Sequence, residues 1–342
     1  MATATFGGEA EAQNKGQTRA RPAAAAAAGA ATVPPLQFTS RTLANGMKVY
    51  AIRDPSTANV ALQMYYDVGS KDDPNGRSGF AHMFEHILSR NTRNIAPGQL
   101  NDIVEGIGGT RNAGTSADYT NYIETIPATH LETMLWAHAE RMDRLVVNED
   151  VFTKERDIVQ EELRQRVLAS PYGRLGTFVL FPNSFETHPY KRPTIGSIEQ
   201  LRSAQLADVR AFHDAYYRPD NATLVVVGNF DPAQLNAWVD KHFGPIRRPD
   251  RPIPRFAAKE TLRTAPRTVV EYAPNVPLPA VAKSYQIPGR SHPDVAALAV
   301  MDAVLAGGKR VEDVEAALDA ELARMRDTLV TPAELEEAKN QL

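Results

Sequence analysis

His82, Glu85 and His86 stand in the string Ala81-His-Met-Phe-Glu-His-Ile87. On a helix the offsets 0, 3 and 4 fall on one face, so two imidazoles and a carboxylate are brought into a common volume. Zinc takes nitrogen ligands at about 2.0–2.1 Å in tetrahedral geometry, and two His one turn apart supply half of such a shell. A Glu between them is poorly placed to bind the same ion but well placed to hold and deprotonate a water beside it. Set against this is a plain amphipathic helix whose His are core or surface residues, and a third ligand is what separates the two.

Carboxylates are available on a second helix. Asn148 to Leu168 carries Val151, Phe152, Ile158, Val159, Leu163 and Val167 at helical intervals among charges, which predicts a helix over 149–168. Glu155 and Glu162 are two turns apart and share a face, while Glu161 lies about 100° round from Glu162. Any of the three could complete a His, His, Glu shell with a fourth position left open, as catalytic zinc sites require. The residues alone leave that choice open.

The helices need a scaffold, and the flanking segments predict one. Met47–Ile52 and Val60–Val68 read as neighbouring strands, Tyr119–Ile126 as a strand ended by Pro127, and 222–229 as another,. Helices are expected at 129–145, 203–216 and 232–243, with Ser78 as N-cap of the helix bearing the two His. Strands mixed with long helices favour an α+β arrangement with helices packed on a mixed sheet.

Composition bounds the rest. The chain has 342 residues, 38 basic and 41 acidic, for a net charge of −3, so no nucleic-acid or membrane-surface partner is indicated. No cysteine is present, which excludes disulfides and thiolate zinc ligands. No stretch approaches the ~18 apolar residues of a membrane span. Residues 1–35 are small, polar and alanine-rich, expected to be a disordered leader or an expression remnant. An export signal is the alternative, because Arg19 and Arg21 precede the alanine run; the Leu- and Val-rich stretch of such signals is lacking. Residues 246–265 are a basic, proline-rich linker.

Taken together, several strings resemble the pitrilysin/insulinase family of zinc peptidases, whose reversed motif makes them inverzincins. The shorter chains similar to mitochondrial processing peptidase fit best. The strings are His82-Met-Phe-Glu85-His86, Glu162 in Ile158-Val-Gln-Glu-Glu162-Leu, Gly108-Gly-Thr-Arg-Asn112-Ala113-Gly-Thr115, Tyr119-Thr-Asn-Tyr122, Thr194-Ile-Gly196-Ser and Tyr216-Tyr-Arg-Pro219-Asp-Asn221 running into Leu224-Val-Val-Val-Gly228-Asn. The resemblance covers about residues 38 to 245.

It implies one Zn2+ per chain held by His82, His86 and Glu162, the last of which lies 76 residues beyond His86. Glu85 is then the general base and later acid in endopeptidase hydrolysis by a zinc-activated water, and Glu155 a group that orients a ligand or tunes the local charge; a plain surface acid is the alternative for Glu155. Asn112, Ala113, Gly114 and Thr115 resemble the edge strand on which substrates lie extended, although turn chemistry after Gly108-Gly109 would equally explain Asn112. The implied fold is α+β in two related halves, each a mixed, mostly antiparallel sheet with helices packed on it. Here 36–245 is the metal-binding peptidase domain, and 266–342 a partial second half without metal.

Within that second half, Ala280–Ile287, Gly289-Arg-Ser and Val295–Leu305 faintly repeat the strand, loop and helix of Ala61–Leu88. An Arg and Tyr pair that helps hold substrate in the family has no counterpart here; an omitted segment and a second subunit both explain this. The resemblance therefore admits a homodimer or a heterodimer with a related subunit besides peptide substrates. It favours the bacterial periplasm over the cytoplasm. Some family members are non-catalytic core subunits, but in those the metal motif is degraded, whereas here all four residues stand.

Overall fold

The computed structural model describes residues 35–257, 259–273, 276–289, 292 and 295. Residues 37–286 form one compact unit. Residues 1–34 of the expected leader 1–35, and the expected helix 295–305, Val295 apart, lie outside the described residues.

Six strands build one sheet: β1 (Thr39–Thr42), β2 (Lys48–Arg53), β3 (Asn59–Tyr66), β4 (Thr110–Thr115), β5 (Thr120–Pro127) and β6 (Ala222–Gly228). Their order is β1-β2-β6-β3-β5-β4, with β2 and β6 parallel and the other pairs antiparallel. This is the mixed, mostly antiparallel sheet expected. Alternation drives it: in β3, Val60, Leu62, Met64 and Tyr66 are buried while the residues between them are half-buried. One face therefore packs on a core and the other stays wetter.

The helices are α1 (Phe80–Leu88), α2 (Gln99–Gly106), α3 (Leu131–Asp143), α4 (Glu149–Glu162), the short α5 (Phe181–Ser184), α6 (Ile198–Ser203), α7 (Leu206–Tyr216) and α8 (Pro232–Phe243). Phe80, Met83, Phe84 and Ile87 of α1 share the main core with the inward residues of β3 and β6 and with Phe212 and Tyr217. Phe84 stacks on Tyr217 with ring centres 5.1 Å apart. Each such side chain contributes roughly 1.5–3 kcal/mol by leaving water. That buried stripe fixes the rotation of α1, and so decides where its remaining face points.

Several expectations need correction. Ser78 is not the N-cap of α1; Gly79 is, at φ +93°. Its free amides are taken by Asp73, whose carboxylate accepts from Gly79 N at 2.7 Å and Ala81 N at 2.9 Å. A β-carbon at Gly79 would come within 2.9 Å of the Ile195 carbonyl, and one at Gly196 within 2.4 Å of the Ser78 carbonyl. This close approach of two glycines seats the Thr194–Ile195 loop against the start of α1.

The expected helix 203–216 is α7 and starts three residues later, at Leu206, because Gln205 donates its amide to Asp208 at 3.1 Å, while Ser203 ends the separate short α6. The expected 149–168 helix is α-helical only to Glu162 and continues to Leu168 as wider π turns. Ala280–Ile287 is not in a strand: among the described residues no strand pairs with it, and Val281, Tyr285 and Ile287 are exposed. A strand without a partner leaves its backbone groups to water.

Candidate metal centre and cleft

The face of α1 opposite its buried stripe carries His82, Glu85 and His86, each partly exposed. α4 packs across it, its start fixed by Asn148, whose side chain accepts from Val151 N at 2.9 Å. Glu149 and Asp150 in its first turn favour the positive end of the helix,. Glu155 and Glu162 both face α1. Glu161 points away, exposed and bonded to Arg164 and Gln165. Glu162 is the last α-helical residue before the π turns, a backbone irregularity frequent at functional sites.

Three atoms converge. Glu162 Oε2 lies 3.4 Å from His86 Nε2 and 3.7 Å from His82 Nε2. The edge of a tetrahedron around zinc, with ligands at 2.0–2.1 Å, is about 3.3 Å. Among the described residues this trio is the one His and carboxylate group gathered closely enough to hold a metal ion. The donor set, two imidazole nitrogens and one carboxylate oxygen, is that of catalytic zinc sites, so the residues fit the ion. Burial, then the neighbouring His86 and Arg166 charges, bring His82 down to about 4. The ring is thus neutral at physiological pH, the form that binds metal. Arg166 donates to Glu162 Oε1 and leaves Oε2 facing the imidazoles.

Glu85 does not join the trio. Thr115 Oγ1 donates to its Oε2 at 2.6 Å. Burial pushes the Glu85 carboxyl up from its ordinary value, against the opposing effect of the Thr115 bond. A raised carboxylate beside a metal trio is suited to accept a proton and give it back. Glu155 sits behind the trio: its Oε2 is 3.6 Å from His86 Nδ1.

The cleft in front has a volume of about 410 Å3 and is walled by α1, by Glu162 and Arg166, by Thr194 and Ile195, and by Asn112 to Thr115. These last four residues lie in β4, at the edge of the sheet and not in a turn. Ala113 and Thr115 face α1; Asn112 and Gly114 alternate to the opposite face and join the wall along the strand's open edge. The Asn112 carboxamide accepts from Ala113 N at 2.9 Å.

The structure therefore brings His82, His86, Glu162, Glu85, Glu155 and Asn112–Thr115 to one place. Sequence reasoning passed over Arg90 and Arg166, and it quoted Thr194 and Ile195 in a family string without giving them a role. Arg90 and Arg166 were signalled by spacing alone, each four residues beyond a candidate ligand and hence on its helical face.

Known proteins resemble this chain over the same region. Residues 48–194 match the family described as insulinase (peptidase family M16), and residues 203–310 match the M16 inactive domain. Zinc protease PqqE of Helicobacter pylori is 35% identical over 272 residues, 79% of this chain. The beta subunit of mitochondrial-processing peptidase from Saccharomyces cerevisiae is 23% identical over 62% of this chain. The chain spans 61% of the first relative's length and 46% of the second's.

A crystal structure of a protease from Helicobacter pylori superposes with a TM-score of 0.81 at 28% identity, over 90% of this chain and 84% of that one. Pitrilysin, at 21% identity and a TM-score of 0.59 over 66% of this chain and 24% of its own, shares the fold. The chain belongs to the pitrilysin/insulinase family of zinc metallopeptidases.

Proposed function

We propose that this chain is a zinc-dependent endopeptidase that binds extended peptides along β4 and hydrolyses them in front of α1. The observation that carries this is the convergence of His82, His86 and Glu162 with Glu85 one helical turn away, beside an open strand edge. When held by that trio, one Zn2+ per chain supplies Lewis acidity, polarising a peptide carbonyl and making water nucleophilic near neutral pH.

The chain's own groups do the remaining work. With Oε2 of Glu85 held by Thr115, the other carboxylate oxygen takes a proton from the attacking water. The same oxygen returns the proton to the departing amide nitrogen as the C–N bond breaks. The edge strand Asn112-Ala113-Gly114-Thr115 binds the substrate backbone as an added strand, giving affinity with little demand on sequence. Arg166 fixes which oxygen of Glu162 faces the imidazoles.

The test is metal analysis of the purified chain, followed by digestion of an unstructured peptide. One zinc per chain is expected, with cleavage abolished by 1,10-phenanthroline and restored by zinc. Cleavage indifferent to chelation would overturn the reading.

A second reading is favoured by the relative named a beta subunit: the chain hydrolyses peptides only with a related subunit that completes substrate binding. Zinc uptake by the chain alone, with activity only on adding such a partner, would select it. A non-catalytic core subunit is disfavoured because the trio and Glu85 are all in place.

A further inference from the structure

We propose that Arg90 is a positioning residue for the metal centre, acting through Glu155 on His86. This rests on the reading that His86 holds the metal. The Glu155 side chain is only 4% exposed, and a buried carboxylate without a counter-charge is costly. Two groups meet it. His86 Nδ1 lies 3.6 Å from Oε2. Arg90 Nη2 donates to the same oxygen at 2.8 Å, and Arg90 Nε lies 2.6 Å from Oε1.

Arg90 leaves the end of α1 one turn beyond His86, its amide bonded to the Ile87 carbonyl at 3.0 Å. Its guanidinium reaches across to α4 on the same side as the imidazole. The guanidinium donates to Oε2 of Glu155 and lies at ion-pair distance from Oε1, so it holds the carboxylate in place besides meeting its charge,. That placement matters because Nδ1 and Nε2 lie on opposite sides of one ring. His86 presents Nε2 to the trio only while Nδ1 carries its proton towards Glu155. A carboxylate behind a metal-binding imidazole fixes the tautomer and ring orientation and strengthens the ligand. In this chain the carboxylate is itself held from behind. The series is metal, His86, Glu155, Arg90.

A plain helix-to-helix ion pair is the competing account, and metal affinity separates the two. The Arg90 side chain is 40% exposed, so as a bare ion pair it would contribute little. Zinc affinity of the purified full chain is measured by competition with a chromophoric chelator, a readout that needs no turnover. Arg90→Gln is expected to weaken zinc binding about ten- to hundredfold, as loss of such supporting partners does. Arg90→Lys restores part of the loss, since it supplies charge without the fork. Glu155→Gln shows a similar loss, and Arg90→Gln adds nothing further in the Glu155→Gln background. The thermal midpoint of the metal-free protein stays close to wild type in Glu155→Gln, which leaves no buried charge unpaired, so its loss of zinc affinity is not a loss of fold.

Arg90→Met, which keeps the aliphatic stem, replaces Gln if that variant fails to fold, with the same loss expected. Zinc affinity within about threefold of wild type in Arg90→Gln or Arg90→Met would overturn the proposal, as would losses that add to those of Glu155→Gln. A wild-type chain that takes up no zinc would overturn the metal reading and this proposal with it, a result distinct from a variant that binds like wild type.

Discussion

Two places in this molecule combine the same side chains, His, Glu and Arg, and they have opposite characters. Behind α1, Glu124 of β5 accepts from Arg141 Nη2 at 3.0 Å and meets His138 Nε2 at 2.8 Å, and all three residues are at most 2% exposed. Glu124 lies between Tyr122 and Ile126 on the covered face of the strand, where an apolar residue would ordinarily sit. The guanidinium of Arg141 also lies 5.3 Å from the centre of the Tyr122 ring. Acid and bases there face each other in a closed space. In the cleft, Glu162 faces His86 at 3.4 Å and His82 at 3.7 Å, beyond ordinary hydrogen-bond length, and the group opens onto about 410 Å3,. Residue types do not make a site. Convergent metal-binding atoms and access to the cleft do.

Substitutions can break this contrast in either direction. The largest expected effect is in the cleft: Glu85→Gln keeps zinc and the fold but lowers peptide hydrolysis by about 10^2–10^4-fold, the usual scale of a lost general base. Steady-state kinetics alongside metal analysis reads both quantities, and unchanged turnover would remove Glu85 from the mechanism. In the closed cluster the damage goes to stability. Arg141→Met leaves Glu124 buried without its cation and is expected to cost about 3–5 kcal/mol. Urea unfolding measures it, and a loss below about 1 kcal/mol would show the cluster to be less sealed than described. Next in size, Glu162→Gln lowers zinc affinity while Glu161→Gln does not. The reverse result would place the metal on the other side of α4.

The two places also differ in how well the sequence announces them. His82, Glu85 and His86 are local, and one helical period brings them together without knowledge of the rest of the chain. The pairing of Glu155 with Glu162 was likewise readable, but the preference for Glu162 as ligand came from family resemblance, because no local rule says which turn of α4 meets α1. Nothing marked Glu124 and His138, fourteen residues apart on a strand and a helix. Their contact depends on how α3 returns over β5.

The same distinction explains the corrected elements. Ser78 looked like a cap by type, yet the cap is made by Asp73 across a loop, with Gly79 turning the chain. The break at Ala204–Gln205 is set by one side-chain bond to Asp208, invisible to a hydrophobic period. β1 and α2 are short, and were missed because four to eight residues carry little periodicity. β6 shows the reverse: it follows β5 by almost a hundred residues yet inserts between β2 and β3. Its apolar run predicts a strand, but only tertiary pairing gives its position. Residues well beyond 203 thus complete the sheet that carries the metal trio, although the inactive-domain match begins there.

The smallest effect expected is on acid stability, and it too falls on the closed cluster. Burial alone would raise the Glu124 carboxyl, but His138 and Arg141 hold it down to about 2, against an ordinary 4.5. A carboxylate whose folded value is depressed stabilises the fold fully above its unfolded value. That contribution is lost as pH falls from about 4.5 towards 2, where the unfolded chain binds a proton that the folded chain refuses. With His138 changed to Gln in both chains, so that the neighbouring imidazole, itself lowered by burial, exchanges no proton over the same range, the chain with Glu124 should therefore lose stability across this interval more steeply than the chain with Glu124→Gln. Urea midpoints taken at half-unit steps from pH 5 to pH 3 make the comparison. Parallel slopes would mean that Glu124 gains its proton as readily folded as unfolded, and the contrast between a sealed pair and an open one would rest on geometry alone.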